Sequence, residues 1–225
     1  MKQIGWRLTV KRMMDRLLSV CALLVLAPLI LLAAMAVRIL MGSPVFFKQW
    51  RPGRNGKPFE LLKFRTMLDP IDNETGSFTD GKRLTRVGRF LRSTSIDELP
   101  QLWNVLRGDL SLVGPRPLRM EYLQRYNTEQ ARRHDVLPGI TGLAQINGRN
   151  ALEWHEKFRY DVWYVDNWSL WMDIFILWGT LLRVTRRDGI SHGEQPTMPE
   201  FLGNNAASVE HLSTNPAVDC PSEQQ

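Results

Sequence analysis

Only two cysteines occur in the 225 residues, Cys21 inside an apolar run and Cys220 in a polar tail, and neither is placed to pair with the other. A disulfide framework and a thiolate zinc site are therefore excluded, and the soluble part fits a reducing compartment. Histidine is also scarce, at four residues, and no Cys/His cluster has metal-ligand spacing. There is no P-loop and no GxSxG elbow, which removes the common NTPase and serine-hydrolase readings. No internal repeat is visible. Positive charge is plentiful but uneven. Residues 1–120 hold 20 basic and 9 acidic side chains, a net of +11, whereas residues 121–225 hold 9 and 14, a net of −5. The first half should attract anions: phosphates, acidic lipids or nucleic acid.

Between Arg16 and Arg38 lie 21 residues without a charge, LLSVCALLVLAPLILLAAMAV. As a helix this run is roughly 30 Å long, enough to cross a bilayer core. It is too long for the apolar region of a cleaved signal peptide. Two readings stay open. A spanning helix is the usual one. However, Pro28 sits mid-run, where it removes a backbone hydrogen bond and bends the helix. The flanks are basic on both sides, with Lys11, Arg12 and Arg16 before, then Arg38, Lys48, Arg51 and Arg54 after. Because basic flanks stay cytoplasmic, a helix that enters, bends at Pro28 and returns satisfies both features.

The segment VFFKQWRPGRNGKPFELLKFRTM reads as a β-hairpin turning at Asn55-Gly56. Alternation puts Lys63 and Arg65 on one face, available to a phosphate. A polar loop is expected over 68–82. A short helix then carries Arg86, Arg89 and Arg92 in a stripe, with Arg92 nearest the acids that follow. In SIDELPQLW, Ser95 and Glu98 have capping-box spacing, but Pro100 would then fall beyond the first turn. A start nearer Asp97 suits the proline better and leaves one carboxylate free. Leu99, Leu102, Trp103 and Leu106 form the expected apolar face of this helix, which ends at Gly108. Arg116 lies between Pro115 and Pro117, a stiff mount for a planar cation that suits carboxylate or phosphate recognition. The segment 138–150 reads as irregular, its glycines permitting close approach to a ligand, and it carries Arg149. A helix follows, on which His155 is expected to be a surface residue. The last apolar stretch, with Trp168, Trp171, Trp178 and terminal arginines, fits an interfacial or a core helix. From about 201 the chain should be disordered.

A membrane-bound body with adjacent acids and several arginines fits phosphoryl-type transfer, in which carboxylates hold Mg²⁺ against phosphate or an aspartate acts as nucleophile. The alternative is a membrane-anchored basic module that binds anionic lipid or nucleic acid without catalysis.

The ordered motifs KRMMDR, FKQWRPGRNGKPFELLKFRTM, LRSTSIDELPQLWNVLRGDLSLVGPRPL, LPGITGLAQINGRN and DVWYVDN, with the Pro28 run between the first two, closely resemble the bacterial sugar transferase family, the monotopic phosphoglycosyl transferases. The resemblance covers about Lys11 to Gly189. It implies transfer of a sugar-1-phosphate from a UDP-sugar to undecaprenyl phosphate with release of UMP, at the cytoplasmic face of the bacterial inner membrane. The compact size suggests an N-acetylated amino sugar. Carried over residue by residue, Asp97 becomes the nucleophile that forms a covalent phosphosugar intermediate. Glu98 assists, and both acids serve as Mg²⁺ ligands. Arg92 and Arg116 fall at phosphate-handling positions, and Lys63, Arg65, Arg149 and Asp161 are assigned to substrate or phosphate binding. Pro28 becomes the break in a re-entrant helix, although Ala27 stands where the family usually has serine. Leu143 replaces a frequent tryptophan. The expected fold is α+β and helix-rich. A basic segment and re-entrant helix (1–42) precede a cytoplasmic catalytic domain with interfacial helices (43–200) and a polar tail (201–225). UDP-sugar, undecaprenyl phosphate and the membrane are the expected partners, nucleic acid is not, and a homo-oligomer is allowed. The adjacent acids are expected to stay ionised through the helix dipole, Arg92, Arg116 and Mg²⁺.

Overall fold

The computed structural model describes residues 5–68, 83–148, 152–186 and 200–203. The expected loop over 68–82, Arg149 and the tail beyond 203 lie almost wholly outside these residues. The first element is a 37-residue helix, α1 (Gly5–Met41), about 55 Å long at the helical rise. Among the described residues it alone is long and apolar enough to cross a membrane. Pro28 lies inside it and does not end it. Loss of one N–H is absorbed within the helix, so the expected break is not a termination.

Both ends of α1 rest on the body. Near the start, the Lys11 Nζ donates to Asp173 (2.7 Å) and to the Val113 carbonyl (3.2 Å), while the Ser111 hydroxyl donates to Asp15 (2.7 Å). Near the end, Ala33, Val37 and Met41 pack with Phe64 and Leu91. Leu24, Val25, Leu31 and Leu32 are exposed between or beside these contacts.

The expected hairpin forms from β1 (Phe46–Pro52) and β2 (Pro58–Phe64), antiparallel, with Phe46 opposite Phe64. Asn55 takes φ 55° in the turn, which asparagine tolerates. Helix α2 (Arg86–Ser93) is capped by the Thr85 side chain, which accepts from the Gly88 N–H. Gly88 permits close packing: a Cβ there would lie 1.9 Å from the Thr66 carbonyl oxygen. A 3-10 turn, Ile96–Glu98, leads to α3 (Gln101–Arg107), which ends at Gly108 in the left-handed region.

The inward face of α3 differs from the expected one. Leu102 is buried as expected, but Trp103 is exposed, and Gln101, Asn104 and Val105 are buried. Asn104 takes the inward position because it completes the hairpin edge. Its Oδ1 accepts from Leu62 N–H (3.1 Å) and its Nδ2 donates to the Glu60 carbonyl (2.8 Å).

A second sheet was not anticipated. Strand β3 (Ser111–Val113) pairs in parallel with β4 (Gly139–Thr141), within a stretch expected to be irregular. Helix α4 (Thr128–Ala131) lies between these strands in sequence, and α5 (Leu143–Asn147) follows β4. Helices α6 (Trp154–Asn167) and α7 (Leu170–Arg186) complete the body. On α7, Trp168 at its entry, Asp173 and Ile176 are buried, whereas Trp171, Phe175 and Trp178 are exposed along one stripe. The main core joins hairpin residues Phe59 and Leu61 to Leu102, Val105, Leu110, Val113, Tyr164 and Ile176.

Order extends past residue 200. Phe201 is buried with Tyr122 and Phe158, and its N–H donates to the Tyr122 hydroxyl (3.1 Å). One aromatic anchor in a polar run is enough to dock it.

Candidate active site

The adjacent acids lie in the 3-10 turn between α2 and α3, not in the first turn of a long helix. Ser95, the expected cap, has φ 58° and makes no capping hydrogen bond. An N-cap residue requires extended backbone, so the capping box cannot close. Glu98 turns instead towards two cations. Its Oε1 accepts from Lys63 Nζ (2.7 Å) and from Arg116 Nη2, and its Oε2 accepts from Arg116 Nη1 (3.3 Å).

Asp97 is 7% exposed, and among the described residues its carboxylate has no hydrogen-bond partner. Burial, then the neighbouring Glu98, raises its pKa to about 6 against the pull of Lys63, Arg92 and Arg116. Arg92 and Arg116 do pull the pKa of Asp97 down, as expected, but burial and Glu98 outweigh them. Lys63 and Arg116 bond to Glu98, leaving Asp97 to bear the desolvation. Burial opposes the charge on Glu98 too, but Arg116 and Lys63 overcome it and hold its pKa far below the usual range. One acid is thus locked as a carboxylate while its neighbour is buried, poorly solvated and unbonded. That asymmetry befits a reactive group beside a supporting one.

The mount of Arg116 is built from backbone. Gly114 is packed against Gly139 and Gly142 so closely that a Cβ on Gly139 would meet Gly114 N at 2.1 Å, and one on Gly142 would meet Gly114 O at 2.2 Å. These glycines allow close approach, as expected, but to the strand before Arg116 rather than to a ligand. Behind the loop, Arg133 Nη2 donates to the Arg116 carbonyl (2.7 Å) and to Asp161 Oδ2 (2.6 Å).

The predicted site residues therefore separate. Asp97, Glu98, Lys63 and Arg116 come together. Arg92, on the inward end of its stripe, donates to the Thr66 hydroxyl (3.0 Å) and Met67 Sδ (3.0 Å) while remaining in electrostatic reach of Asp97. Arg65 lies beyond the end of β2, is buried, and donates to the backbone carbonyls of Ser43 and Met67, so alternation does not place it beside Lys63. Asp161 is buried against Arg133 and reaches the site through the backbone of Arg116. Arg149 is outside the described residues. His155 is exposed, beside Glu153. Sequence reading missed Arg133 and Asn104; a buried arginine and a buried asparagine have no local sequence signal.

No group of three or more His, Cys, Asp or Glu side chains converges among the described residues. Asp97 and the lightly bonded Oε2 of Glu98 nonetheless fit the donor set that Mg²⁺ accepts when phosphate oxygens and water complete its coordination.

The family model described as bacterial sugar transferase matches residues 6–187. A Bacillus subtilis protein named an uncharacterized sugar transferase is 54% identical over 198 residues, covering 88% of this chain and 98% of the relative. A Klebsiella pneumoniae protein named UDP-glucose:undecaprenyl-phosphate glucose-1-phosphate transferase is 41% identical over 80% of this chain. A Salmonella typhimurium protein named undecaprenyl-phosphate galactose phosphotransferase is likewise 41% identical over 80% of this chain. In each of those two cases the match spans 41% of the relative's length. With the match running from within α1 to just past α7, the chain belongs to the bacterial sugar transferase family.

Proposed function

We propose that the protein transfers a sugar-1-phosphate from a UDP-sugar to undecaprenyl phosphate with release of UMP, through a covalent intermediate on Asp97. The observation that carries this is the buried, unbonded Asp97 carboxylate beside a Glu98 that is clamped by Lys63 and Arg116. In the first half-reaction an Asp97 oxygen attacks the sugar-bearing phosphorus. The bond from that phosphorus to the bridging oxygen breaks, and its electron pair leaves with UMP. In the second, an oxygen of undecaprenyl phosphate attacks the same phosphorus and Asp97 departs as a carboxylate. Arg116 and Lys63 hold Glu98 and present cationic edges to the donor phosphates, and Arg92 does the same from the α2 side. Mg²⁺, when held by Asp97 and Glu98, supplies charge neutralisation for the diphosphate.

The acceptor is a lipid phosphate, and the apolar surfaces suit it. Exposed Trp171, Phe175 and Trp178 on α7 fit immersion in the interfacial layer of the bacterial inner membrane. For α1 a re-entrant course, with the body at the cytoplasmic face, is supported by contacts at both ends: Lys11 and Asp15 with Asp173 and Ser111, and Met41 with Phe64 and Leu91. A spanning helix would carry one end away from the body. Single cysteines at residues 3 and 55 are expected to react with a membrane-impermeant maleimide from the same side; labelling from opposite sides would refute the re-entrant course.

The compact architecture favours an N-acetylated amino sugar as the donor group. Two relatives carry glucose and galactose names, so the test is UMP release from a panel of UDP-N-acetylhexosamines, UDP-glucose and UDP-galactose with undecaprenyl phosphate and Mg²⁺. Release dependent on both substrates supports the reading, and silence across the panel from folded protein counts against it. Glu98→Gln is expected to lower turnover by about 100-fold or more, because Lys63 and Arg116 lose their common anchor. Turnover at the wild-type rate under saturating Mg²⁺ would remove Glu98 from the mechanism.

A further inference from the structure

Outside the acid pair, one arginine is held at a cost that its surroundings do not offset. Arg51 lies on β1, opposite Phe59. Its Nη2 donates to Gln49 Oε1 (2.6 Å), and its Nε is buried with no hydrogen-bond partner. Arg133 and Arg116, by contrast, are paired with the carboxylates of Asp161 and Glu98. Among the described residues no carboxylate lies within salt-bridge distance of Arg51. Burial, then Arg116 and Arg119, pushes its pKa down to about 10, and Glu121 offsets only part of this. Lys157 also faces Arg116, and its pKa falls to about 8 through burial and that like charge. Cations gathered this closely repel one another unless an anion joins them.

The gap for such an anion is present. Arg51, Leu61, Lys63, Gln101, Arg116 and Pro117 line a small cleft of about 40 Å³ that opens to solvent. Lys63 and Arg116, the two cations that hold Glu98, line it together with Arg51. We propose that Arg51 and Arg116 form the subsite for the phosphate of the departing nucleotide, so that the donor diphosphate lies along the cleft with Arg116 between its two phosphates. This rests on the transfer reaction proposed above. In-line displacement requires the leaving oxygen opposite Asp97. When the phosphorus–oxygen bond breaks, the electron pair stays on the bridging oxygen, which becomes a terminal oxygen of UMP. A phosphate monoester with a second pKa of about 6 leaves as a dianion without a proton donor, so a guanidinium fork is the needed group rather than an acid.

The test uses the full-length protein in detergent, with UMP and uridine as probes. Isothermal titration of wild type is expected to show tighter binding of UMP than of uridine. Arg51→Gln should weaken UMP binding on the order of 10- to 100-fold while leaving uridine within about twofold. Arg51→Lys, which keeps the charge but loses the fork, should fall between, and it serves if the glutamine variant does not fold. In steady-state kinetics kcat/KM for the UDP-sugar should fall in parallel, and kcat/KM for undecaprenyl phosphate should stay within about twofold, since UMP has left before the acceptor reacts. Unchanged UMP affinity in Arg51→Gln, equal loss for both substrates, or a wild type that binds UMP no better than uridine would each overturn the assignment. Failure of the transfer reaction itself reads differently: no UMP is released from any donor, whatever the titrations show.

Discussion

Asp97→Asn is expected to abolish UMP release, by at least about 10⁴-fold, while the protein remains folded. The amide cannot attack phosphorus, and the neighbouring Glu98 carboxylate is held by Lys63 and Arg116. Stability should move the other way. A carboxyl whose folded pKa of about 6 lies above its unfolded value favours the fold while protonated. That contribution is lost as pH rises from about 4 through 6. At neutral pH the ionised, buried Asp97 therefore opposes folding, and the asparagine variant should melt no lower than wild type. The wild-type profile of kcat/KM for the donor should fall about tenfold per pH unit below pH 6 and level off above it, since the nucleophile must be ionised. Glu98, Lys63, Arg92 and Arg116 are the charged groups facing Asp97 that set this position. Retained turnover in folded Asp97→Asn protein would exclude the covalent route, and a flat acid limb would place the titrating group elsewhere.

What could be read from the chain follows from how locally each feature is encoded. The Asn55-Gly56 hairpin, the end of α3 at Gly108 and the apolar run of α1 depend on neighbouring residues, and each appears where its signal stands. Asp97, Glu98 and Arg116 were found through motif order, and Glu98 and Arg116 meet in the fold. The misread features are those fixed by tertiary contacts. Ser95 has capping spacing, but the turn that brings Glu98 to Lys63 forces a left-handed backbone and leaves the cap unmade. Arg65 alternates with Lys63 in sequence, yet β2 stops at Phe64 and the guanidinium turns to backbone carbonyls. The β3–β4 pairing joins residues 111 and 139, too far apart for local pattern to reveal. The pairing of Asp161 with Arg133 is equally hidden, because a buried pair shows only when both halves are in place.

Lys11→Met is expected to lower the melting temperature by about 6–12 °C, corresponding to about 3 kcal/mol for a domain of this size. Lys11 is 3% exposed and donates to Asp173 and to the Val113 carbonyl, with Asp15 a turn further along α1 at 3.6 Å. Methionine would fill similar space but leave two buried carboxylates without their cation. Some compensation remains, because Tyr164 and Trp168 still donate to Asp173 (2.7 and 3.0 Å) and Ser111 still donates to Asp15 (2.7 Å). The expected loss therefore lies at the low end for breaking a buried ion pair. If the lost attraction is the cause, Asp173→Asn in the Lys11→Met background should cost less than it does alone, and a double-mutant cycle in detergent or nanodiscs measures the coupling. Additive losses would mean that the two residues stabilise the protein separately. The consequence reaches the site. Lys11 donates to the carbonyl of Val113, three residues before Arg116, with the Gly114 knot between. Helix α1 is thus tied to the strand that leads to Arg116, so loosening α1 should lower kcat/KM as well as the melting temperature.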